Sequence, residues 1–119
     1  MNLQDLRDET RFPMTPALKE RFSLKLRLDD SCSVPLDLVD VSMHGMRFRT
    51  DHDFKEDSVN EFTFKFINKD EDEQELTVKS RICWIEREED LAGFDIGTQI
   101  VEVTDKTWMK LIMDVVANM

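Results

Sequence analysis

From Phe22 onward the chain alternates. Phe22, Leu24, Leu26 and Leu28 are apolar, while Ser23, Lys25, Arg27 and Asp29 between them are polar. This period of two puts one strand face on a core and the other in water. Asp29-Asp30-Ser31 then supplies turn residues. A second strand is predicted from about Val34 to Val41, with Pro35 near its start, where a missing N–H is tolerated. In a third strand, Met46 and Phe48 alternate with Arg47 and Arg49. A polar link opens at Asp51-His52-Asp53. Phe62, Phe64 and Phe66 give a fourth strand one aromatic face, and Leu76, Val78, Ser80, Ile82 and Trp84 share one face of a long fifth. A sixth is centred on Phe94, Ile96 and Ile100, where Gly93 and Gly97 mark bends or close backbone approach.

Both ends of the chain break the period. Residues 1–20 show no sustained pattern and contain Pro13 and Pro16, so an arm is expected there, with room for a short helical turn. Near the other end, Thr104 or Asp105 can cap a helix of about 104–118. Trp108, Leu111, Ile112, Val115 and Met119 then recur at intervals of three or four. The stripe they form is expected to pack over an open side or end of the sheet. The expected class is mainly all-β, with six antiparallel strands over residues 21–119 as a small barrel or strongly curled sheet, since closure removes exposed edges.

Composition narrows the function classes. The chain has 119 residues, 40% of them hydrophobic, which is one domain with a modest core. No apolar run reaches bilayer length and the first eleven residues are polar, so neither membrane insertion nor a secretory signal is expected. Cys32 and Cys83 stand alone, and a reducing cytoplasm is the simplest home for them. The formal net charge of -10 repels nucleic acid polymers. Much of the acid lies in Asp70-Glu71-Asp72-Glu73 with Glu75, and in Glu86 with Glu88-Glu89-Asp90. These runs are expected to be solvated hairpin tips, since the first lacks the loop glycine and ligand spacing of a calcium site.

Catalytic chemistry finds no support. His44 and His52 are not at a metal-binding helical spacing, and Asp40, Ser42 and His44 lie too close along a turn for triad side chains to converge. There is no nucleophile elbow, phosphate-cradling glycine loop or zinc-protease motif. No enzyme is expected, and no metal or cofactor.

One stretch stands out at the junction of the second and third strands. Asp40-Val41-Ser42-Met43-His44-Gly45 reads D-x-S-x-x-G, and Arg7-Asp8-Glu9-Thr10-Arg11 upstream reads R-x-x-x-R, with 28 residues between Arg11 and Asp40. Late in the chain, Ile82-Cys83-Trp84-Ile85 leads through an acidic turn to Ala92-Gly93-Phe94. Over roughly residues 7–117 this pattern resembles the PilZ domain family of bacterial receptors for cyclic di-GMP. The resemblance implies a six-stranded antiparallel barrel with a flexible N-terminal arm, residues 1–20, and a C-terminal helix. It also implies a cytoplasmic receptor that passes its signal to a downstream effector protein, in motility, adhesion or biofilm formation. Some relatives with this fold are interaction modules without the ligand, as in type IV pilus assembly, and that alternative stays open.

The ligand's chemistry explains the residue types. Cyclic di-GMP carries two guanines and two phosphates. Arg7 and Arg11 can donate in parallel to guanine O6 and N7, stack on a base or pair with phosphate. Asp40 can accept from the guanine N1–H and N2–H edge, and Ser42 adds a short hydroxyl at the same rim. Gly45 has the freedom, positive φ included, to turn into the next strand and leave room for a base. His44 and Arg47 are secondary contacts, and Arg49 adds positive potential. Each has a plainer reading too. Arg7 and Arg11 form a solvated arm, and Asp40 and Ser42 cap a turn. Trp84 and Trp108 are expected in the core.

Overall fold

The computed structural model describes residues 10–67, 70–87, 93–103 and 107–117. Along the chain these form β1 (Phe12–Pro13), α1 (Pro16–Lys19), β2 (Phe22–Arg27), β3 (Ser33–Val41), β4 (Gly45–Thr50), β5 (Val59–Ile67), β6 (Glu73–Arg87), β7 (Phe94–Val103) and α2 (Thr107–Ala117). All strand pairings are antiparallel. Strands β2, β5, β6, β7 and β4 follow one another across the sheet, and β3 pairs with both β2 and β4. That double pairing closes a six-stranded barrel with a C-terminal helix, the class the alternation predicts.

Alternation translates directly into burial. In β2, Phe22, Leu24 and Leu26 are buried and the residues between them exposed. Leu28 was expected to continue this face, but the strand ends at Arg27 and Leu28 is exposed. Its N–H donates to the Cys32 carbonyl, so it belongs to the hairpin turn. Inside the barrel, Phe48 and Phe62 pack with ring centroids 5.4 Å apart, joined by Phe54 from the β4–β5 link. On α2, Trp108, Leu111, Ile112 and Val115 form the predicted buried stripe, and Trp108 meets Phe64 edge-on at 5.4 Å. Met119, the last residue of that expected stripe, lies outside the described residues. The tip residues 70–75 are exposed, as expected. Among the described residues, no helix is long and apolar enough to cross a membrane.

The N-terminal segment splits. Residues 1–9 lie outside the described residues, while residues 10–20 pack on the barrel. Thr15 caps α1 by accepting from the Leu18 N–H, Pro16 sits at the first turn where its missing N–H is harmless, and Leu18 is fully buried. β1 pairs Phe12 with Val41 and Pro13 with Asp40, along the side of β3 that β2 leaves free.

Candidate ligand-binding site

Two bulges aim the site. In β3, Leu38 stands opposite Phe48, Asp40 opposite Arg47 and Val41 opposite Met46, with Val39 inserted between. Leu38, Val41, Met46 and Phe48 are core residues. Without the extra residue Asp40 would share the inward face of Leu38; with it, the carboxylate turns outward. The inserted residue is used as well, since its carbonyl accepts from Met14 N–H at 2.8 Å. A second shift lies in β6, where Ile82 opposes Thr98 but Trp84 opposes Gly97, with Cys83 between them. This corrects the expectation that Trp84 shares the core face with Ile82. Trp84 is half-buried outside, its indole filling the space over Gly97, where a Cβ would lie 2.1 Å from the ring. Asp40, Arg47, Gly97 and Trp84 therefore form one outward row across β3, β4, β7 and β6.

Asp40 is 4% exposed although it points away from the core, because β1 and Arg11 cover it. Arg11 Nη1 donates to Oδ1 at 3.0 Å. Arg47 Nε lies 2.9 Å from Oδ2, with its N–H off the line of a hydrogen bond. A carboxylate withdrawn this far from water needs such partners, since an unpaired buried charge is strongly destabilising.

The rest of the D-x-S-x-x-G stretch is a turn. Ser42 is buried, and both its N–H, at 2.9 Å, and its Oγ, at 3.3 Å, donate to the Gly45 carbonyl. Gly45 does not take the positive φ allowed for it; among the described residues Gly93 is the glycine that does. Glycine is needed at position 45 for close approach, because a Cβ would sit 2.1 Å from the Thr98 carbonyl oxygen of β7. The room it leaves is thus filled by the neighbouring strand. His44 has an exposed side chain, and its carbonyl accepts from Ile100 N–H at 2.7 Å. The Met43 carbonyl accepts from the Trp108 indole Nε1–H at 3.0 Å, which ties the turn to α2.

Beside Asp40 opens a cavity of about 460 Å³, walled by Lys19, Asp37, Arg47, Arg49 and Asp95, with Met14 and Val39 as its apolar part. Lys19 Nζ is 3.0 Å from Asp37 Oδ1, and Arg49 Nε is 3.4 Å from Asp95 Oδ1. Three cations thus gather on a chain of net charge -10. Planar guanidinium groups beside carboxylates suit a flat polar base and a phosphate.

The structure therefore brings Arg11, Asp40 and Arg47 together, with Arg47 also lining the cavity, and makes Ser42 and Gly45 the turn beside them. Arg7 lies outside the described residues. Lys19, Asp37 and Asp95 are wall residues that reading the sequence missed. Asp37 had a weak signal as the polar residue between Leu36 and Leu38, whereas no pattern links Lys19 or Asp95 to the motif.

Comparison with known proteins follows the same lines. The family model described as the PilZ domain matches residues 5–117. No curated protein matches the chain. Among solved structures, the Bacillus subtilis inhibitor of motility (MotI/DgrA) aligns with a TM-score of 0.71 at 8% identity, covering 93% of this chain and 50% of that one. The chain thus spans half the length of that protein. The PilZ domain of YcgR from Escherichia coli, solved with c-di-GMP, aligns with a TM-score of 0.65 at 14% identity, covering 94% of this chain and 90% of that one. At these identities the likeness is one of fold.

Proposed function

The chain belongs to the PilZ domain family, and from that premise we propose that it is a bacterial cytoplasmic receptor for cyclic di-GMP that regulates a partner protein, as a signalling module and not a catalyst. The observation that carries this reading is Asp40, turned outward by the Val39 bulge and bracketed by Arg11 and Arg47, next to the cavity that Val39 and Arg47 line. A carboxylate has about four lone-pair sites, so the two arginines do not exhaust it. A guanine edge entering the cavity offers N1–H and N2–H to Asp40, while the guanidinium groups donate to O6 and N7 or to phosphate.

The ligand would also reorganise the N-terminal segment. Arg11 sits one residue before β1, and Met14 N–H is bound to Val39 in the bulge itself. A base that engages Asp40 changes what Arg11 pairs with, and so shifts the segment that covers the site. Binding coupled to segment placement gives a partner protein something to read. With a chain of net charge -10, a dianionic ligand gains nothing from long-range attraction, so affinity depends on these local cations.

Calorimetric titration with cyclic di-GMP tests the reading. Saturable binding that disappears in Asp40→Ala supports it. No heat at ligand concentrations on the order of tens of micromolar overturns it in favour of an interaction module of this fold that works without the ligand.

A further inference from the structure

The outer face of the sheet carries a second row that repeats the chemistry of the first. Asp37, Arg49 and Asp95 stand opposite one another across β3, β4 and β7, one outward position along β4 from Asp40, Arg47 and Gly97. Two residues of extended chain separate the rows by about 7 Å. Each row sets an acid beside an arginine, and each receives a cation from the N-terminal segment: Arg11 at Asp40, and Lys19 at Asp37.

Asp95 is the unusual member. Its side chain is 14% exposed, and its Oδ1 is shielded from solvent and accepts no hydrogen bond among the described residues. Arg49 Nε, 3.4 Å away, balances the charge, but its N–H does not line up with the oxygen. The residue opposite Asp95 on β7's other side, Glu86, is itself an acid. A shielded carboxylate oxygen without an aligned donor is costly and calls for an explanation. Asp95 lines the cavity, so a donor entering there can reach this carboxylate once the group turns. The torsion that turns an aspartate carboxylate is soft, so Asp95 needs no backbone movement to meet such a donor.

We propose that Asp95, held by Arg49, is a second guanine-reading acid of this cavity and therefore a specificity-determining residue for cyclic di-GMP. The inference rests on the receptor reading above. A cyclic dinucleotide carries two bases, and Asp40 serves one edge. The guanine N1–H and N2–H groups point the same way, and a carboxylate accepts both side by side, while Arg49 donates to O6 of the same base. Hypoxanthine keeps N1–H but lacks the amine, leaving one carboxylate oxygen unpaired. Adenine sets the N1 lone pair against the carboxylate and is rejected more strongly.

Titration of the wild type, Asp95→Asn and Asp95→Ala with cyclic di-GMP and with its inosine analogue, cyclic di-IMP, tests this. Both variants should bind cyclic di-GMP about tenfold more weakly or worse, lose less affinity for cyclic di-IMP, and so narrow the preference for guanine. Their melting temperatures should change little, since Asp95 Oδ1 loses a half-exposed ion pair with Arg49 but no hydrogen bond. If one variant does not fold, the other carries the comparison. Wild-type affinity and preference in a folded variant overturn the inference and leave the receptor reading standing. Equal losses for both ligands also overturn it, because Asp95 then acts through shape alone. Absence of cyclic di-GMP binding by the wild type overturns the receptor reading, and this inference with it.

Discussion

Arg11 and Asp40, 29 residues apart in the chain, are joined by a 3.0 Å bond from Nη1 to Oδ1. The contact fastens the N-terminal segment to the end of β3, and it does so with both side chains largely out of water, 21% and 5% exposed. Stability and binding therefore share one pair. Arg11→Ala should lower unfolding stability by about 1–3 kcal/mol, the range for losing a charge-assisted bond to a shielded carboxylate that keeps only Arg47 as partner among the described residues. It should also weaken cyclic di-GMP binding by about tenfold. Urea denaturation and calorimetry read the two effects separately. Arg11→Lys keeps the charge but not the planar fork, and should recover stability better than affinity. Ligand affinity equal to wild type in both variants would remove Arg11 from the site.

Gly45 illustrates a residue whose importance to the motif is steric. The Cβ of an alanine would lie 2.1 Å from the Thr98 carbonyl oxygen, which is backbone and has nowhere to go without opening the β4–β7 pairing. Gly45→Ala should therefore destabilise by about 3 kcal/mol or more, against the slight gain expected where the backbone tolerates alanine. A thermal melt within a degree or two of wild type would show that β4 and β7 are not this close.

Much of this architecture is legible in the sequence, for identifiable reasons. The six barrel strands and α2 each run long enough for a period to emerge, as Phe22–Arg27 and the stripe from Trp108 to Val115 illustrate. Two residues carry no period, and β1 is invisible for that reason. It exists because Phe12 and Pro13 find the free side of Val41 and Asp40. The phase of β3 and β6 is equally hidden. Alternation cannot say that Val39 and Cys83 are extra residues, so an unbroken reading puts Trp84 on the core face. The D-x-S-x-x-G turn is local and can be read directly. The cavity is not, because α1, β3, β4 and β7 contribute to it and only the folded register sets Lys19, Asp37 and Asp95 together.

Trp108 is expected to matter for its N–H as well as its bulk. The ring is buried against Phe64, and Nε1–H donates to the Met43 carbonyl inside the Asp40–Gly45 turn. Trp108→Phe retains an aromatic ring and removes the donor, which should cost about 1 kcal/mol of stability and loosen the turn that carries Asp40. Amide hydrogen exchange at His44 and Gly45 should speed up in the variant, with the barrel strands far less affected. Unchanged exchange in the turn would mean that Trp108 contributes through packing alone.

The β2–β3 hairpin carries the clearest pH signature. Asp29 Oδ1 accepts from the Ser31 N–H at 2.8 Å, the Ser31 hydroxyl at 3.0 Å and the Cys32 N–H at 2.8 Å. The backbone bond from Ser31, then its hydroxyl and the Cys32 amide, hold the Asp29 carboxyl below its ordinary value of 3.8. A folded-state pKa below the unfolded one means that the unfolded chain takes up its proton first as pH falls. The turn's contribution is therefore fully present above pH 3.8 and is lost as pH drops through the lowered folded value. A carbon-detected NMR titration of the Asp29 carboxyl should show a midpoint under 3.8, with the Ser31 and Cys32 amide shifts following the same curve. Asp29→Ala should abolish that low-pH transition in both amides. A carboxyl midpoint at or above 3.8 would refute the bonding assigned to this turn.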